Sequence, residues 1–396
     1  MMDPQQFHIE INCQQKFQDG ERICGDVFLS QKIPEEGRTI MVLSDGMGHG
    51  VKANMLATLT ATMALNFTRE HKDVEKIAEI IMNTLPVCSE RKISYATFTV
   101  LDIEDNGLTR ILEFDNPHAL IFRGDQMLEP EWNCIIMTSQ KNAGREILTC
   151  SFRSRKEDRI VLCTDGVVQS GMGYTAYPFG WDREKLADHV HDLIVRDPEI
   201  SARKLGTRIV NVAVQNDKFK PQDDTSCATV YFREPRKLLI CTGPPYEKDK
   251  DAELAGMVRD FPGRKILCGA TTADIIAREL DKKIIDSLEF TDPELPPVSH
   301  MEGIDLITEG ILTLGKVSVL LEKYQENLQL TKGPADEIIK MILQSDEVHF
   351  IIGTRINIAH QDPSLPVELE IRRTVVKRIA RILEKKFLLE IRLTFI

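Results

Sequence analysis

The chain of 396 residues has no apolar run that nears the ~18 residues of a membrane-spanning helix. Its first residues lack the basic and apolar segments of a secretory signal. Nine cysteines occur, but none forms a Cys-x-x-Cys pair, and several lie in apolar segments, as small buried residues of a reducing compartment do. We therefore expect a cytoplasmic protein that does not insert into a membrane.

Basic charge is also scarce, since 61 acidic residues against 50 lysines and arginines give a formal net charge of −11. No basic patch dominates, which argues against a general binder of nucleic acids or anionic membranes. The length suffices for two domains, each with its own core. A proline among charges at residues 233–236 has the composition of a linker. We expect a first domain over residues 1–234 and a second over 237–396.

Residues 39–50, Thr-Ile-Met-Val-Leu-Ser-Asp-Gly-Met-Gly-His-Gly, join an apolar strand to an acid, Asp45, and three glycines. The apolar part predicts a strand buried on both faces. The glycines permit a tight turn that exposes main-chain carbonyls and amides. A helix is predicted over residues 51–67, where alanines spaced by four form a small core-facing stripe. Because a buried acid without a partner is costly, we expect Asp45 to have one.

The first domain contains a run of strands instead of βαβ units. Strands are predicted over residues 7–17, 22–29, 95–102, 108–115, 119–123, 133–137, 146–152 and 159–163. The first two are expected to pair, with residues 24–26 inside the second. Helices are predicted over residues 73–85, 183–195 and 200–214.

Five acids stand at strand ends or strand starts of this domain, and sheet pairing can gather them at one edge: Asp26, Asp45, Asp165, Asp223 and Asp224. Carboxylate oxygens suit Mg²⁺ or Mn²⁺. Without a cation, the clustered carboxylates would repel one another and raise their own pKa values. Two cations that share one carboxylate can polarise a phosphoryl oxygen and activate water. The pattern therefore predicts metal-assisted hydrolysis of a phosphate ester.

Four motifs in order resemble the bacterial PPM (type 2C) serine/threonine phosphatases, in particular the branch of sporulation stage II protein E and RsbU. They are Cys24-Gly-Asp26, Asp45-Gly-Met-Gly-His-Gly50, Asp158-Arg-Ile-Val-Leu-Cys-Thr-Asp-Gly-Val167 and Asp223-Asp-Thr-Ser226. The resemblance covers residues 7–232. Two departures are Cys24, where glycine is usual, and Thr-Ser after the two aspartates, where Met-Thr is commoner.

The resemblance implies an α+β fold, a β-sandwich flanked by helices (αββα), with two Mn²⁺ or Mg²⁺ ions in a cleft at one sheet edge. Carried over by motif, Asp45 bridges both metals and the Gly46 carbonyl completes one shell. Asp165 and Asp223 hold the second metal, and Asp26 acts at the first.

Asp26 and Asp45 are then the catalytic residues, and the nucleophile is metal-bound water. The additional candidates are Asp224 and His49. The implied substrate is phosphoserine or phosphothreonine on a protein, such as an anti-sigma-factor antagonist-like protein.

Three features of the first domain admit two interpretations each. His49 either packs or hydrogen-bonds at the helix start, or it contributes near the phosphate. His118 lies either in a surface turn or towards the substrate. The aromatic loop over residues 171–181 is either a lid or docking surface, or it packs into the core.

Beyond residue 236, strands alternate with helices, which predicts an α/β domain with a mainly parallel sheet. Strands are expected over residues 237–241, 265–268, 304–308 and 348–352, and helices over 251–260, 272–281, 310–325, 335–344 and 367–386. The basic residues of the last helix form either a solvated face opposite the core or a partner-binding patch; they are Arg372, Arg373, Lys377 and Arg381. Glycine and threonine follow three strands, where amides can bind an anion. No dinucleotide or Walker motif appears, so the domain either binds a small molecule or anion, or has a structural or interaction role.

Three functions follow from these alternatives. The leading one is a metal-dependent phosphoprotein phosphatase with an appended regulatory or ligand-binding domain. The others are a catalytically silent binding or regulatory module, and a phosphatase of a small phosphorylated metabolite. The presence of every proposed acid favours an enzyme.

Overall fold

The computed structural model describes residues 7–71, 80, 81, 84, 96–137, 143–287, 289–325, 330–355, 368–387 and 389–396. The chain divides into two compact units, Met1–Glu234 and Pro235–Ile396. The helix predicted over residues 73–85 falls almost wholly outside the described residues. Among the helices of the described ranges, none combines the length and the hydropathy that crossing a membrane requires.

The first unit consists of strands with few helices between them. The strands are β1 (His8–Lys16), β2 (Val27–Ile33), β3 (Arg38–Gly46), β4 (Ala96–Glu104), β5 (Leu108–Phe114), β6 (Leu120–Arg123), β7 (Gln126–Met127), β8 (Trp132–Ile136), β9 (Glu146–Arg153), β10 (Asp158–Cys163) and β11 (Thr225–Arg233). The described helices are α1 (Gly50–Arg69), α2 (Asp165–Val168), α3 (Arg183–Arg196) and α4 (Ala202–Asn216).

These strands form two sheets, with strand orders β1-β11-β10-β6-β7 and β2-β3-β4-β5-β9-β8, and every pair is antiparallel. Apolar side chains of both sheets meet in one core, for example Leu101 and Ile160. Ala61 and Ala64 of α1 pack on the outer face of the six-stranded sheet. Helices α3 and α4 cover the outer face of the five-stranded sheet. This αββα sandwich confirms the predicted fold class.

The N-terminal pairing differs from the prediction. β1 pairs with β11, from His8 opposite Arg233 to Lys16 opposite Thr225, and does not pair with β2. β2 begins only at Val27, so residues 24–26 precede the strand, and placing them inside it was wrong. Gly25 instead packs closely against the segment before β11 and against α1, where a Cβ would stand 2.6 Å from Asp224 Oδ2 and 2.9 Å from the Cβ of Ala53.

The second unit alternates strands and helices. The strands are β12 (Lys237–Thr242), β13 (Arg264–Cys268), β14 (Ile285–Asp286), β15 (Ser299–Met301), β16 (Ile304–Thr308), β17 (Glu347–Ile352) and β18 (Glu390–Phe395). The described helices are α5 (Asp251–Asp260), α6 (Ala270–Glu279), α7 (Ile311–Lys323), α8 (Pro334–Leu343) and α9 (Glu368–Lys386).

One sheet organises this unit, in the order β14-β15-β16-β13-β12-β17-β18. The pairs among β16, β13, β12, β17 and β18 are parallel, and the two pairs made by β15 are antiparallel. The sheet is therefore mixed but mostly parallel, as predicted. Helices α7, α8 and α9 pack on one face, and α5 and α6 pack on the other. Strand β18 was not predicted, and Arg372 is buried instead of lying on a solvated face.

Candidate metal centre

The first unit brings five acids together at one edge of its sandwich. β3 delivers Asp45, and the pairing of Val27 with Ser44 places Asp26 beside it. On the other sheet, Asp165 follows β10 directly, while Asp223 and Asp224 precede β11, the strand that pairs with β10. The edge is thus built from two antiparallel pairs, one in each sheet.

Asp26 is held in a buried polar setting and is 2% exposed. Its Oδ2 accepts a hydrogen bond of 2.9 Å from the Thr164 hydroxyl, which itself accepts one of 3.0 Å from the Ser226 amide. Burial raises the pKa of Asp26 to about 7, with Asp224 and Asp223 raising it and the hydrogen bonds from Ser226 and Thr164 opposing the rise. Asp26 is therefore oriented by hydroxyls and crowded by neighbouring carboxylates.

Crowding is strongest at Asp45. Burial, together with the nearby Asp26, Asp165 and Asp223, raises its pKa to about 10. Burial likewise raises the pKa of Asp223 to about 6, with Asp165 adding to the rise. These carboxylates lie close enough to repel one another when all are charged.

Two glycines allow this close approach. A Cβ on Gly46 would stand 2.0 Å from the carbonyl oxygen of Ala53 in α1, and one on Gly166 would stand 2.1 Å from the carbonyl oxygen of Asp224. Neither position has room for a side chain. The Asn54 side chain also donates to the Cys24 carbonyl at 2.8 Å, so α1 is attached to the segment that carries Asp26.

The donor set fits hard divalent cations. Three buried carboxylate oxygens of this edge have no hydrogen-bond donor among the described residues, namely Asp26 Oδ1, Asp165 Oδ1 and Asp224 Oδ2. Such oxygens are costly unless a cation or donor compensates them, and carboxylates are the ligands that Mg²⁺ and Mn²⁺ prefer. As the side chains stand, however, no three His, Cys, Asp or Glu side chains of the described ranges form a closed metal-holding group.

The two additional candidates lie at the margins of this edge. Asp224 is 2% exposed, and its Oδ1 accepts from the Gln18 amide at 3.1 Å. His49 is exposed and its Nδ1 lies 2.6 Å from Glu21 Oε1, so it hydrogen-bonds at the start of α1. His49 nevertheless acts on the site electrostatically. It lowers the pKa of Asp223, although burial raises that pKa by more.

A cavity of about 440 Å³ opens beside Asp165. Asn116, His118, Phe179 and Arg183 line it together with Asp165. His118 Nδ1 lies 2.7 Å from Glu113 Oε2, and this hydrogen bond raises the pKa of the histidine. His118 therefore borders a cavity at the site.

The aromatic loop over residues 171–181 has one part that packs into the core and another part that is exposed. Trp181 is 3% exposed and packs in the helix-covered core, whereas Phe179 is 89% exposed at the rim of the cavity. The loop is held by Asp217, whose Oδ1 accepts from the Gly171 amide at 2.6 Å and whose Oδ2 accepts from the Gln222 amide at 3.1 Å. Asp217 thus joins the aromatic loop to the segment just before Asp223.

Sequence reasoning did not single out Thr164, Ser226 or Asp217. Thr164 and Ser226 belong to the quoted motifs, where their position next to the acids was a usable signal. Asp217 had no such signal, because its role depends on contacts with residues 46 positions earlier and five positions later.

In the second unit, two of the predicted glycine turns meet. A Cβ on Gly353 would stand 2.1 Å from the Pro244 carbonyl oxygen, and one on Gly243 would stand 2.5 Å from Arg372 Nη1. The Gly243 amide donates to the Thr272 hydroxyl at 2.9 Å. The anion-binding role of these turns stays a prediction.

The first unit matches one family of known proteins. The family model of stage II sporulation protein E (SpoIIE) matches residues 35–233. The chain belongs to the SpoIIE family. No curated protein matches the chain, and no family is assigned to the second unit.

Several solved structures are similar at low identity. The PP2C phosphatase domain with a fragment of the regulatory domain of SpoIIE from Bacillus subtilis is 15% identical at a TM-score of 0.45, over 57% of this chain and 64% of that one. The RsbU and RsbW domains of a Mycobacterium tuberculosis protein are 16% identical at a TM-score of 0.44, over 64% of this chain and 69% of that one. RsbX in complex with magnesium is 16% identical at a TM-score of 0.40, over 57% of this chain and 98% of that one. At these values the family assignment rests on the family model alone.

Proposed function

We propose that the first unit is a metal-dependent phosphatase that hydrolyses phosphoserine or phosphothreonine on a protein. The observation that carries this proposal is the convergence of five acids with three buried oxygens that lack donors among the described residues. Membership of the SpoIIE family supports it.

In this proposal Asp45 would be the carboxylate that helps to hold both Mg²⁺ or Mn²⁺ ions, and the Gly46 carbonyl would contribute to one of them. Asp165 and Asp223 would hold the second ion, and Asp26 would serve the first. Two additional candidates lie near these acids, the buried Asp224 and the exposed His49. When bound, the two cations supply Lewis acidity to the phosphoryl oxygens and lower the pKa of water.

The residues of this chain then perform three tasks. Thr164 fixes the orientation of Asp26 through the 2.9 Å bond to Oδ2. Gly46, which packs directly against the Ala53 carbonyl of α1, sets the backbone position of Asp45. The cavity beside Asp165 admits the phosphorylated side chain, with Arg183 and His118 as cationic groups on its wall. A substrate protein of the anti-sigma-factor antagonist type supplies that side chain in our proposal.

The test compares the full-length wild type with Asp45→Asn, and uses Asp125→Asn as a matched control on an exposed turn of the same unit. Manganese-dependent turnover of p-nitrophenyl phosphate and of a phosphoserine peptide is measured, together with Mn²⁺ binding by calorimetry. We expect Asp45→Asn to lose at least ~100-fold in turnover and most of its Mn²⁺ affinity, because one shared ligand serves both ions. Asp125→Asn should match wild type.

Two results would redirect the proposal. Turnover of p-nitrophenyl phosphate and small phosphorylated metabolites, without turnover of any phosphopeptide, would indicate a metabolite phosphatase. Folded wild type that neither binds Mn²⁺ nor turns over any phosphate ester would indicate a catalytically silent binding or regulatory module.

A further inference from the structure

A second concave site lies between the end of α3 and the start of α4, with a volume of about 580 Å³. Four basic side chains line it, and one acidic side chain, Asp197, lies among them. The basic residues are Arg196, Arg203, Lys204 and Arg208. This concentration of positive charge contrasts with the net charge of −11 of the whole chain.

The position of these cations on α4 is electrostatically unfavourable. Arg203, Lys204 and Arg208 stand in the first two turns, and the first turn has no acidic residue. The N-terminal end of a helix carries partial positive charge and favours anions, so cations there oppose the helix dipole. Among the described residues, no carboxylate forms an ion pair with any of these three, whereas Arg196 has Asp192 at 3.7 Å. The helix end itself is already capped, because Ser201 Oγ accepts from the Lys204 amide at 3.2 Å and Glu10 Oε1 accepts from the Ala202 amide at 3.0 Å. An anion in the cavity would therefore compensate the basic side chains.

A further cation stands behind the cavity wall. Arg159 is 1% exposed, and its Nη2 donates to the carbonyl oxygens of Pro198 at 2.6 Å and of Ile200 at 3.5 Å. Ile200 itself lines the cavity. The buried guanidinium thus fixes the connection between the two helices and adds positive charge beneath it.

The cavity is remote from the acidic edge. It lies at the first residues of α4, whereas Asp217, which contacts the aromatic loop beside the acids, follows the last residue of that helix. Fifteen helical residues span roughly 22 Å. An anion in this cavity therefore does not occupy the proposed phosphatase site.

We propose that this cavity binds a small organic anion that carries two or more phosphate groups, such as a nucleoside diphosphate. The basic side chains contact the phosphates, while the nearly buried Leu193 and Ile200 contact the apolar part of the ligand. The size supports a small molecule, since ligand cavities typically enclose about 300–1,000 Å³. The proposal does not depend on hydrolysis at the acidic edge.

The test titrates the full chain with ADP and with inorganic tripolyphosphate by calorimetry, in EDTA so that no cation draws phosphates to the acidic edge. We expect saturable binding of both probes. Arg203→Gln with Arg208→Gln should weaken it by at least about tenfold, because charge-assisted hydrogen bonds are lost. Both side chains are exposed, so the variant should fold. Asp197→Asn should tighten binding, which a merely structural role would not produce.

Lys248→Gln with Lys250→Gln removes the same charge from exposed positions of the second unit and should bind like wild type. Asp45→Asn should also bind ADP and tripolyphosphate as wild type does, because Asp45 lies at the other site. The proposal is overturned if folded wild type binds neither probe, or if the Arg203 and Arg208 variant binds both as tightly as wild type. Binding of an oligoglutamate peptide without binding of ADP would also overturn it and would assign the surface to an acidic protein partner.

Discussion

Gly46 shows how a single residue links the acidic edge to α1. Its missing side chain lets the Ala53 carbonyl oxygen approach to 2.0 Å of the Cβ position. We expect Gly46→Ala to lower the free energy of unfolding by about 1–3 kcal/mol, since the backbone of α1 must move away. We also expect weaker Mn²⁺ binding, because Asp45 is the preceding residue.

Urea unfolding and calorimetry with Mn²⁺ check this prediction. Gly256→Ala is the control, because a Cβ there meets no atom within 4 Å and alanine favours a helix. Unchanged stability and Mn²⁺ affinity in Gly46→Ala would show that α1 does not constrain the site.

His118 should make stability depend on pH. Its hydrogen bond to Glu113 raises its pKa above the ordinary value of 6.5. The folded state therefore holds the proton of His118 more tightly than the unfolded chain does. The contact makes its full contribution to the stability of the fold below pH 6.5. That contribution is lost as pH rises through the higher folded-state pKa. Because the imidazole is partly exposed, we expect at most about 1 kcal/mol.

The measurement compares urea unfolding of wild type and His118→Gln at pH 5.5 and pH 8.5, in EDTA. The stability advantage of wild type should be larger at the lower pH. An advantage that grows with pH would contradict the assignment of a protonated His118 to this contact.

Among the structural elements, the end of α4 holds two loops of the site through one side chain. Asp217 is 2% exposed and accepts from the amides of Gly171 and Gln222. In Asp217→Asn one of these amides loses its carboxylate acceptor, and we expect a loss of about 1–3 kcal/mol in stability. Faster proteolytic cleavage in the loop after Gly171 should accompany it.

Asp188→Asn is the matched control, since Asp188 is exposed on α3 of the same unit. Equal cleavage rates for Asp217→Asn and Asp188→Asn would show that the Asp217 contacts do not hold the loop.

The elements also show which parts of this fold were accessible from sequence. β3 was predictable because an unbroken apolar run precedes Asp45, and the αββα class followed from the motifs. The pairing of β1 with β11 was not predictable, because the two strands are more than 200 residues apart and local alternation does not reveal the partner. β18 was not predicted, although residues 390–395 (Glu-Ile-Arg-Leu-Thr-Phe) alternate between polar and apolar side chains, which was a usable signal for a strand.

The functional residues likewise include some that the sequence predicted and some that it did not. The five acids were identified because each stands at a strand end within a motif, and the structure brings them together. Arg372 was misplaced because helical spacing alone assigned it to solvent, whereas its guanidinium lies 2.5 Å from the Cβ position of Gly243, which belongs to a turn distant in sequence. The basic cavity between α3 and α4 escaped notice because its cations come from two helices and show no stripe in the sequence.

At the scale of the whole molecule, the two units have separate cores, and we propose that they unfold as separate cooperative domains. The acidic edge belongs only to the first unit. Mn²⁺ that binds there stabilises that unit by linkage, by about 2.7 kcal/mol at a concentration of 100 times Kd. Scanning calorimetry of the full chain should therefore show one transition that Mn²⁺ raises and one that it leaves in place.

Variants assign the transitions. Ile339→Ala removes a fully buried side chain from α8 and should lower only the Mn²⁺-insensitive transition, since such a cavity costs about 2–5 kcal/mol. Asp45→Asn should abolish the rise of the other transition. Equal displacement of both transitions by Mn²⁺ would contradict the proposed independence. A rise confined to the transition that Ile339→Ala lowers would place the principal Mn²⁺ site in the second unit and overturn the assignment to Asp45.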